Sequence, residues 1–485
     1  MLTKQFPDSL FFIRNIENLS PLQVLHLNSI AFNANNLLQS LRAFSALKTL
    51  YFQSSKFEGT ITVQEIYNHS NLEELIMDYS SLDKKFLQGI SGMTSLEVLS
   101  LFSCDLNGTL PVQEVDVSGN ELEGILPLCM GNLTSLRLID LSSNRFTGDI
   151  ASSSLTALTL LEYLSFLDNS FQIPVSFSSF VNFSNLKNDL RVLDLSHDYL
   201  QGKFPSWLLQ NNTKLKDLNL RDKNFTGPFQ LRSRPNPEIL RLDLSKKDIP
   251  DPTNMTSVFP NLRILNLSRN IFEGNIPSYF HDMKFLWALD LSNNNMSGEI
   301  PEHLAVGCLS LIFLKLSNNK FEGQIFPQVV NLPKLECLYL DGNRFSGGIP
   351  DSLSNISLLV LDLTSNNMSG KLPRWIGNMS STKEIAISNN NLQSSILVEF
   401  CKLDNLLFLN LSENNLTGSI PSCFNPSNIK HVHLFKNRLT GPITRAFYKS
   451  TSLVTLDLRD NYLSGSIPKW IGTLLEPSIL LLRAN

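Results

Sequence analysis

The chain has 485 residues, of which 42% are hydrophobic and 17% charged, enough apolar material for a large buried core. A formal net charge of −4 lacks the basic excess that nucleic acid or an anionic membrane surface selects for. No run of 18 apolar residues occurs, so no membrane-spanning helix is expected.

From the N-terminus, Met1 to Asn15 carries Lys4, Asp8 and Arg14 around the short apolar patch Leu10 to Ile13, too short for the core of a secretion signal. Residues 1–21 are expected to be an incomplete N-terminal segment without a cap. From residue 22 a single phrase recurs, LxxLxLxxNxLxGxIP. Anchored on its Asn position, it falls at 30, 55, 80, 104, 120, 144, 169, 198, 223, 247, 270, 294, 319, 343, 366, 390, 414, 437, 461 and 485. Seventeen of the 19 spacings are 23 to 25 residues, a leucine-rich-repeat period. Residues 22–485 therefore read as one array of about 20 repeats, a count taken from these anchors.

Two stretches break the period. Anchors 104 and 120 are only 16 residues apart; that is short for a full turn, and about eight residues are missing between Leu110 and Val115 relative to the usual period. Anchors 169 and 198 are 29 apart, and the next inward positions are Asp198, Lys223 and Lys247, costly charges for a buried ladder. Irregularity is expected near 104–120 and 170–255, with loops at Arg232 to Pro237 and Asp251 to Thr256. Downstream the phrase is clearest, as in Leu286 to Pro301, Leu335 to Pro350, Leu406 to Pro421 and Leu453 to Pro468. Asn485 is itself an anchor, so the array is cut in mid-repeat. With neither end capped by a polar repeat, poor solubility of the isolated chain is expected.

Each repeat position has a mechanical task. The LxL alternation predicts a short strand with its leucines inward, paired with its neighbours in one parallel sheet. The anchor Asn is expected to point inward and satisfy backbone groups of its own turn and the adjacent repeat. Cys104 takes the anchor position as a small substitute. Two residues on, Phe146, Phe225, Phe272, Phe321, Phe345 or Leu416 fills the core. A Gly two residues further predicts a backbone conformation or close approach that a Cβ would hinder. The last part, such as Trp375 to Asn378, is expected to form a 3₁₀ or short helical turn.

The Gly-x-Ile-Pro segment resembles the plant-specific class of leucine-rich repeats. Leu138 to Ile150 (LIDLSSNRFTGDI), Gly202 to Leu215 and Gly465 to Leu474 look like the ectodomains of plant leucine-rich-repeat receptor-like proteins, and the likeness covers nearly the whole chain. It implies a solenoid of the leucine-rich-repeat kind: a curved right-handed superhelix, one parallel sheet on the concave face, 3₁₀ or short helical turns on the convex face. It also implies a fragment of the ligand-recognition ectodomain of a kinase-less cell-surface receptor, acting in defence or development. The implied partners are an extracellular peptide or microbial ligand and a partner receptor kinase or co-receptor, with membrane attachment encoded outside this chain. The ectodomain of a receptor kinase, a secreted enzyme inhibitor and an intracellular interaction scaffold are the competing readings.

Fifteen Asn-x-Ser/Thr sequons occur, some written by the repeat itself; Asn132, Asn211, Asn224, Asn355, Asn378 and Asn415 are the candidate glycosylation sites. Asn266 and Asn410 are also sequons, but on the strand face. Among six cysteines without a CxxC motif, Cys401 and Cys423 precede the strands of successive repeats, close enough in register for a disulfide; two free thiols are the alternative. No Gly-rich phosphate loop, nucleophile elbow or kinase signature appears, so no catalytic, cofactor or metal site is expected. The recurring Asp140, Asp194, Asp243, Asp290, Asp362 and Asp457 form a repeat column, and His431 with His433 lacks a third metal-ligating neighbour. Against the default Asp and Ser of the strand face, the departures are Phe313, Lys315, Tyr339, Asp341, Phe408, His431, His433, Phe435 and Arg459. These are the candidate partner contacts, since aromatic residues and Arg dominate interface energetics.

Overall fold

The computed structural model describes residues 255–443, 445–473 and 479–485. Upstream it describes 22–29, 31–33, 44–58, 72–80, 98–101, 107–109, 116–126, 137–149, 160–172, 190–197, 201–203, 214–221, 224–226 and 235–246, with residues 95, 104, 155 and 158. They fall into two compact units, Met1–Pro228 and Phe229–Asn485.

In the second unit each Leu-x-Leu becomes a three-residue strand. Eleven of them, from Arg241–Asp243 to Ile479–Leu481, lie in one parallel ladder in chain order. Register is kept from strand to strand: Phe313, Leu314 and Lys315 face Cys337, Leu338 and Tyr339, which face Val360, Leu361 and Asp362. Strand side chains alternate between faces. The central Leu289, Leu314, Leu338 and Leu361 are wholly buried, and their neighbours are half-buried on the other face. Each such leucine contributes on the order of 1.5–3 kcal/mol of hydrophobic stabilisation before the entropy of ordering the chain is set against it.

The anchor asparagines tie one coil to the next. The Asn319 amide nitrogen donates to Leu291 O of the preceding coil at 2.9 Å and to Leu316 O and Ser317 O of its own turn, while its oxygen accepts Met296 N–H at 3.0 Å. Asn343, Asn366, Asn390, Asn437 and Asn461 repeat the pattern. The residue before each anchor takes the left-handed backbone region, as at Asn318 (φ 55°) and Asn389 (φ 53°). This turn bends the chain from its strand into a second, flanking ladder that runs from Glu273–Gly274 to Asn391–Leu392. The repeat Gly closes that ladder in a positive-φ conformation, 81° at Gly298, which explains its regularity. An extended Pro, such as Pro350 or Pro373, then opens a 3₁₀ turn: Asp351–Asn355 and Arg374–Asn378. The expected helical turn at Trp375 to Asn378 lies within the latter. Behind the strands, Phe321 and Phe345 are wholly buried and stack at 6.3 Å.

The first unit uses the same devices with other residues. Where no Asn stands at the anchor, Ser55 and Ser80 donate to Leu27 O and Phe52 O of the preceding coil, and the Cys104 thiol does so to Met77 O. The 16-residue spacing does not break the ladders. Leu101 N–H donates to Asp116 O at 2.7 Å, the Asn120 amide reaches Leu101 O at 3.1 Å, and Asn107–Thr109 pairs with Glu121–Gly124. The expectation that 16 residues are too few for a coil is corrected here: the residues on both sides of the short spacing keep their places in both ladders. Residues 110–115 and anchors 198, 223 and 247 lie outside the described residues. Of the loop expected at Asp251 to Thr256, the described end is instead a helical turn, Met255–Val258.

Candidate ligand-recognition surface

The outward side of the ladder is built on a column of Asp and Asn that has its own structural work. Asp243, Asp290 and Asp362 each accept the backbone N–H two residues on, at 2.9 Å. Asn266 and Asn410 make the same bond to Ser268 and Ser412. The column caps the turn that leaves each strand, so its recurrence needs no acid–base chemistry.

Departures from that background gather in two clusters. Phe313 and Tyr339, on adjacent strands, have ring centroids 5.4 Å apart, and Lys315 Nζ lies 5.6 Å above the Tyr339 ring. Asp341, beside them, accepts the Ser317 hydroxyl. Burial first, then the nearby Cys337 and carboxylates, hold the Tyr339 phenol above its usual range. The second cluster lies farther along the ladder. Phe408 contacts His433 at 5.7 Å and His431 at 6.3 Å, and the two imidazoles stand parallel, 6.4 Å apart. Burial pushes His433 below the usual histidine value, against the pull of Asp457. Phe435 lies under two cations, Arg459 at 5.3 Å and Lys436 at 5.9 Å.

Both cations are already paired. Arg459 donates from Nε and Nη2 to the Asp457 carboxylate at 2.9 and 2.6 Å, and Lys436 meets Glu413 at 3.2 Å. The second cluster is therefore an aromatic platform with an internally balanced rim. Among the described residues no group of three or more His, Cys, Asp or Glu is placed to hold a metal ion.

Sequence reasoning missed a third feature at the strand-entry edge. Trp287 is 44% exposed, with the Arg263 guanidinium 5.1 Å from its ring, and Phe285 beside it is 53% exposed. Trp287 sits one residue ahead of the strand Ala288–Asp290, outside the positions compared along the repeats; an unusual residue at that outlying position was the available signal.

The remaining candidates lie elsewhere on the coil. Asn355 and Asn378 end the 3₁₀ turns and are exposed, and Asn415 is half-buried beside the flanking ladder. Asn224 begins the flanking strand Asn224–Thr226, and Asn132 and Asn211 lie outside the described residues. Cys401, within the 3₁₀ turn Val398–Lys402, is disulfide-bonded to Cys423 of the next coil, with Cα atoms 5.4 Å apart. No helix among the described residues is long and apolar enough to cross a membrane.

The Leucine Rich Repeat family model matches residues 261–283, 285–306, 334–356, 357–379, 405–426 and 452–474. The chain is 38% identical over 399 residues to Cuscuta receptor 1 of Solanum lycopersicum, a match covering 70% of this chain and 31% of that protein. To receptor-like protein 14 of Arabidopsis thaliana it is 34% identical over 382 residues, covering 62% of this chain and 38% of that one. It thus spans about a third of the length of these relatives. Among solved structures it is similar to the Arabidopsis receptor kinase HAESA in complex with the peptide hormone IDA and the co-receptor SERK1, with a TM-score of 0.69 and 26% identity over 96% of this chain and 82% of that chain.

Proposed function

We propose, from its place among the plant leucine-rich-repeat receptor-like proteins, that this chain forms part of the ligand-recognising region of a cell-surface receptor. In this reading an extended peptide lies along the strand face of the second unit. The observation that carries it is the pair of outward aromatic clusters, Phe313 with Tyr339 and Phe408 with His433 and Phe435, on a face whose recurring Asp and Asn are occupied in capping turns. Rigid aromatic side chains give large contact area at small entropic cost. The HAESA complex supports a peptide as the ligand class and a co-receptor as the second partner. The receptor stands on the extracellular side of the plasma membrane, signals through a partner kinase, and serves defence or development. A kinase reading frame downstream in the same gene would replace the kinase-less reading with that of a receptor kinase.

The test is selection of short random displayed peptides on the chain. Peptides enriched on the native chain should bind the Tyr339→Ala, Phe408→Ala, Phe435→Ala triple variant about a hundredfold more weakly or worse, because each buried aromatic anchor is worth on the order of 1–2 kcal/mol or more. A control variant on the opposite side, Arg374→Ala, should bind as the native chain does. Equal binding to the triple variant defeats the proposal.

A further inference from the structure

Between the two aromatic clusters the closing and turn positions of the strands carry mostly small side chains. Three strands, Val360–Asp362, Glu384–Ala386 and Phe408–Asn410, separate Tyr339 from His433. They open on Val360, Glu384 and Phe408, and their closing and turn positions hold Asp362, Thr364, Ala386, Ser388, Asn410 and Ser412. The small polar groups are satisfied among themselves: the Asn410 amide donates to the Ser388 hydroxyl at 3.1 Å, and that hydroxyl to Thr364 at 3.3 Å. Tyr339 walls one side, and Phe408, His433 and Phe435 the other. At about 4.8 Å per strand, Phe408 stands roughly 14 Å and His433 roughly 19 Å from Tyr339 along the ladder, room for one extended chain with its side chains.

Three carboxylates cross this trough on a diagonal. Asp341 follows the strand Cys337–Tyr339, Asp362 closes the next strand opposite Tyr339, and Glu384 opens the one after. One strand over and two residues along puts successive members about 8 Å apart, a gap that a guanidinium bridges with a hydrogen bond to each side. Among the described residues none of the three is in an ion pair, and Lys315, opposite Tyr339 on the preceding strand, lies over the Tyr339 ring. Asp362, desolvated by burial, titrates above the usual carboxylate range, with Asp341 and Glu384 adding to that shift. A strip of three unpaired carboxylates between two aromatic walls is complementary to a cation.

We infer that this trough is the specificity site for a basic residue, an Arg or Lys in the middle of an extended peptide, with apolar or aromatic residues on either side of it meeting the two walls. The inference rests on the peptide-binding reading above and adds the chemistry of the ligand. Tyr339 offers a ring face to the cation as it does to Lys315, Asp341 and Asp362 take its hydrogen bonds, and Glu384 takes the other end of a guanidinium.

The same peptide selection tests it with different variants. Asp341→Asn with Glu384→Gln removes two charges and preserves shape. Glu384→Lys reverses the one exposed carboxylate of the three. Peptides enriched on the native chain should share one Arg or Lys flanked by apolar residues. A synthetic copy should bind the neutralised double variant about tenfold more weakly or worse, and should lose affinity equally when its basic residue is changed to norleucine. Selection on the Glu384→Lys variant should no longer enrich that basic residue. Enriched peptides that depend on Tyr339 and Phe408 but share no basic residue, or that bind the double variant with unchanged affinity, overturn this inference and leave the peptide reading standing. Failure to enrich any peptide that depends on the strand face overturns both.

Discussion

Asn343 makes four hydrogen bonds with one side chain. Its amide nitrogen donates to Leu316 O, Leu340 O and Asp341 O at 3.0 to 3.2 Å, and its oxygen accepts Phe321 N–H. The side chain is 9% exposed, so water cannot replace these partners. Asn343→Ala should therefore cost about 3 kcal/mol, the penalty of leaving several buried backbone groups unpaired. Asn343→Ser should cost less, because Ser55 and Ser80 already reach the preceding coil from the same position. Denaturant unfolding of the two variants measures both, and equal losses would contradict the ladder's account of Ser. At this scale the sequence was informative wherever a residue's task repeats: the inward Asn, the core Phe and the turn Gly each recur with the period. It was silent where the task depends on how neighbouring side chains pair in space. Arg459 stands out as a lone cation on the strand face, yet it is clamped to Asp457 two residues before it. The left-handed residue ahead of each anchor was hidden for another reason: Ser, Asn, Lys, Glu and Asp all occupy it, so no residue type marks the conformation.

Each coil is a strand, a left-handed turn, a flanking strand and a return path, and the first three are what the ladders require. That is why the 16-residue spacing survives with its hydrogen bonds intact. It has an electrostatic consequence. Asp116 caps Ser118 N–H, accepts the Ser100 hydroxyl at 3.1 Å and bridges in the ladder to Asp140. Burial, with Asp140 adding to it, raises its carboxyl to about 6. A carboxyl raised in the folded state binds its proton more tightly there than in the unfolded chain. Its stabilising contribution is therefore complete below the unfolded value near 3.8 and is lost as pH rises through 6. At neutral pH the buried charge opposes folding of this element by an amount on the order of 3 kcal/mol. Asp116→Asn keeps the cap, as Asn266 and Asn410 show, and should stabilise the strands Val98–Ser100 and Leu138–Asp140 above pH 6 while changing little below pH 4. Amide hydrogen exchange of those strands as a function of pH is the measurement. The protein must come from a host that does not glycosylate, since the substitution writes a new Asn-Val-Ser sequon at 116–118. A profile with no pH dependence in the difference between variant and native chain would sink the argument.

Across the second unit the sequons sort by the side of the coil they fall on. Asn355 and Asn378 end the 3₁₀ turns and are exposed. Asn295, Asn367 and Asn415 each follow an anchor and lie along the flanking ladder. Among the described residues only Asn266 and Asn410 fall on the strand face, and from sequence alone they set glycosylation against partner binding there. Their geometry removes the conflict. The Asn266 amide nitrogen donates to Asp243 at 2.8 Å while its oxygen accepts Ser268. Asn410 does the same between Ser388 and Ser412. A sugar on either nitrogen would have to leave the sheet and unmake the cap that turns the chain. Glycopeptide mapping of folded, monomeric chain secreted from plant cells should find glycans at Asn355 and Asn378 and none at Asn266 or Asn410. Glycans at the last two in native material would mean that the strand face is covered and that partners dock elsewhere. A bare face between sugar-bearing flanks is the arrangement that an extended ligand lying across many coils requires, because its contacts are spread along the ladder and one glycan in the row would interrupt them all.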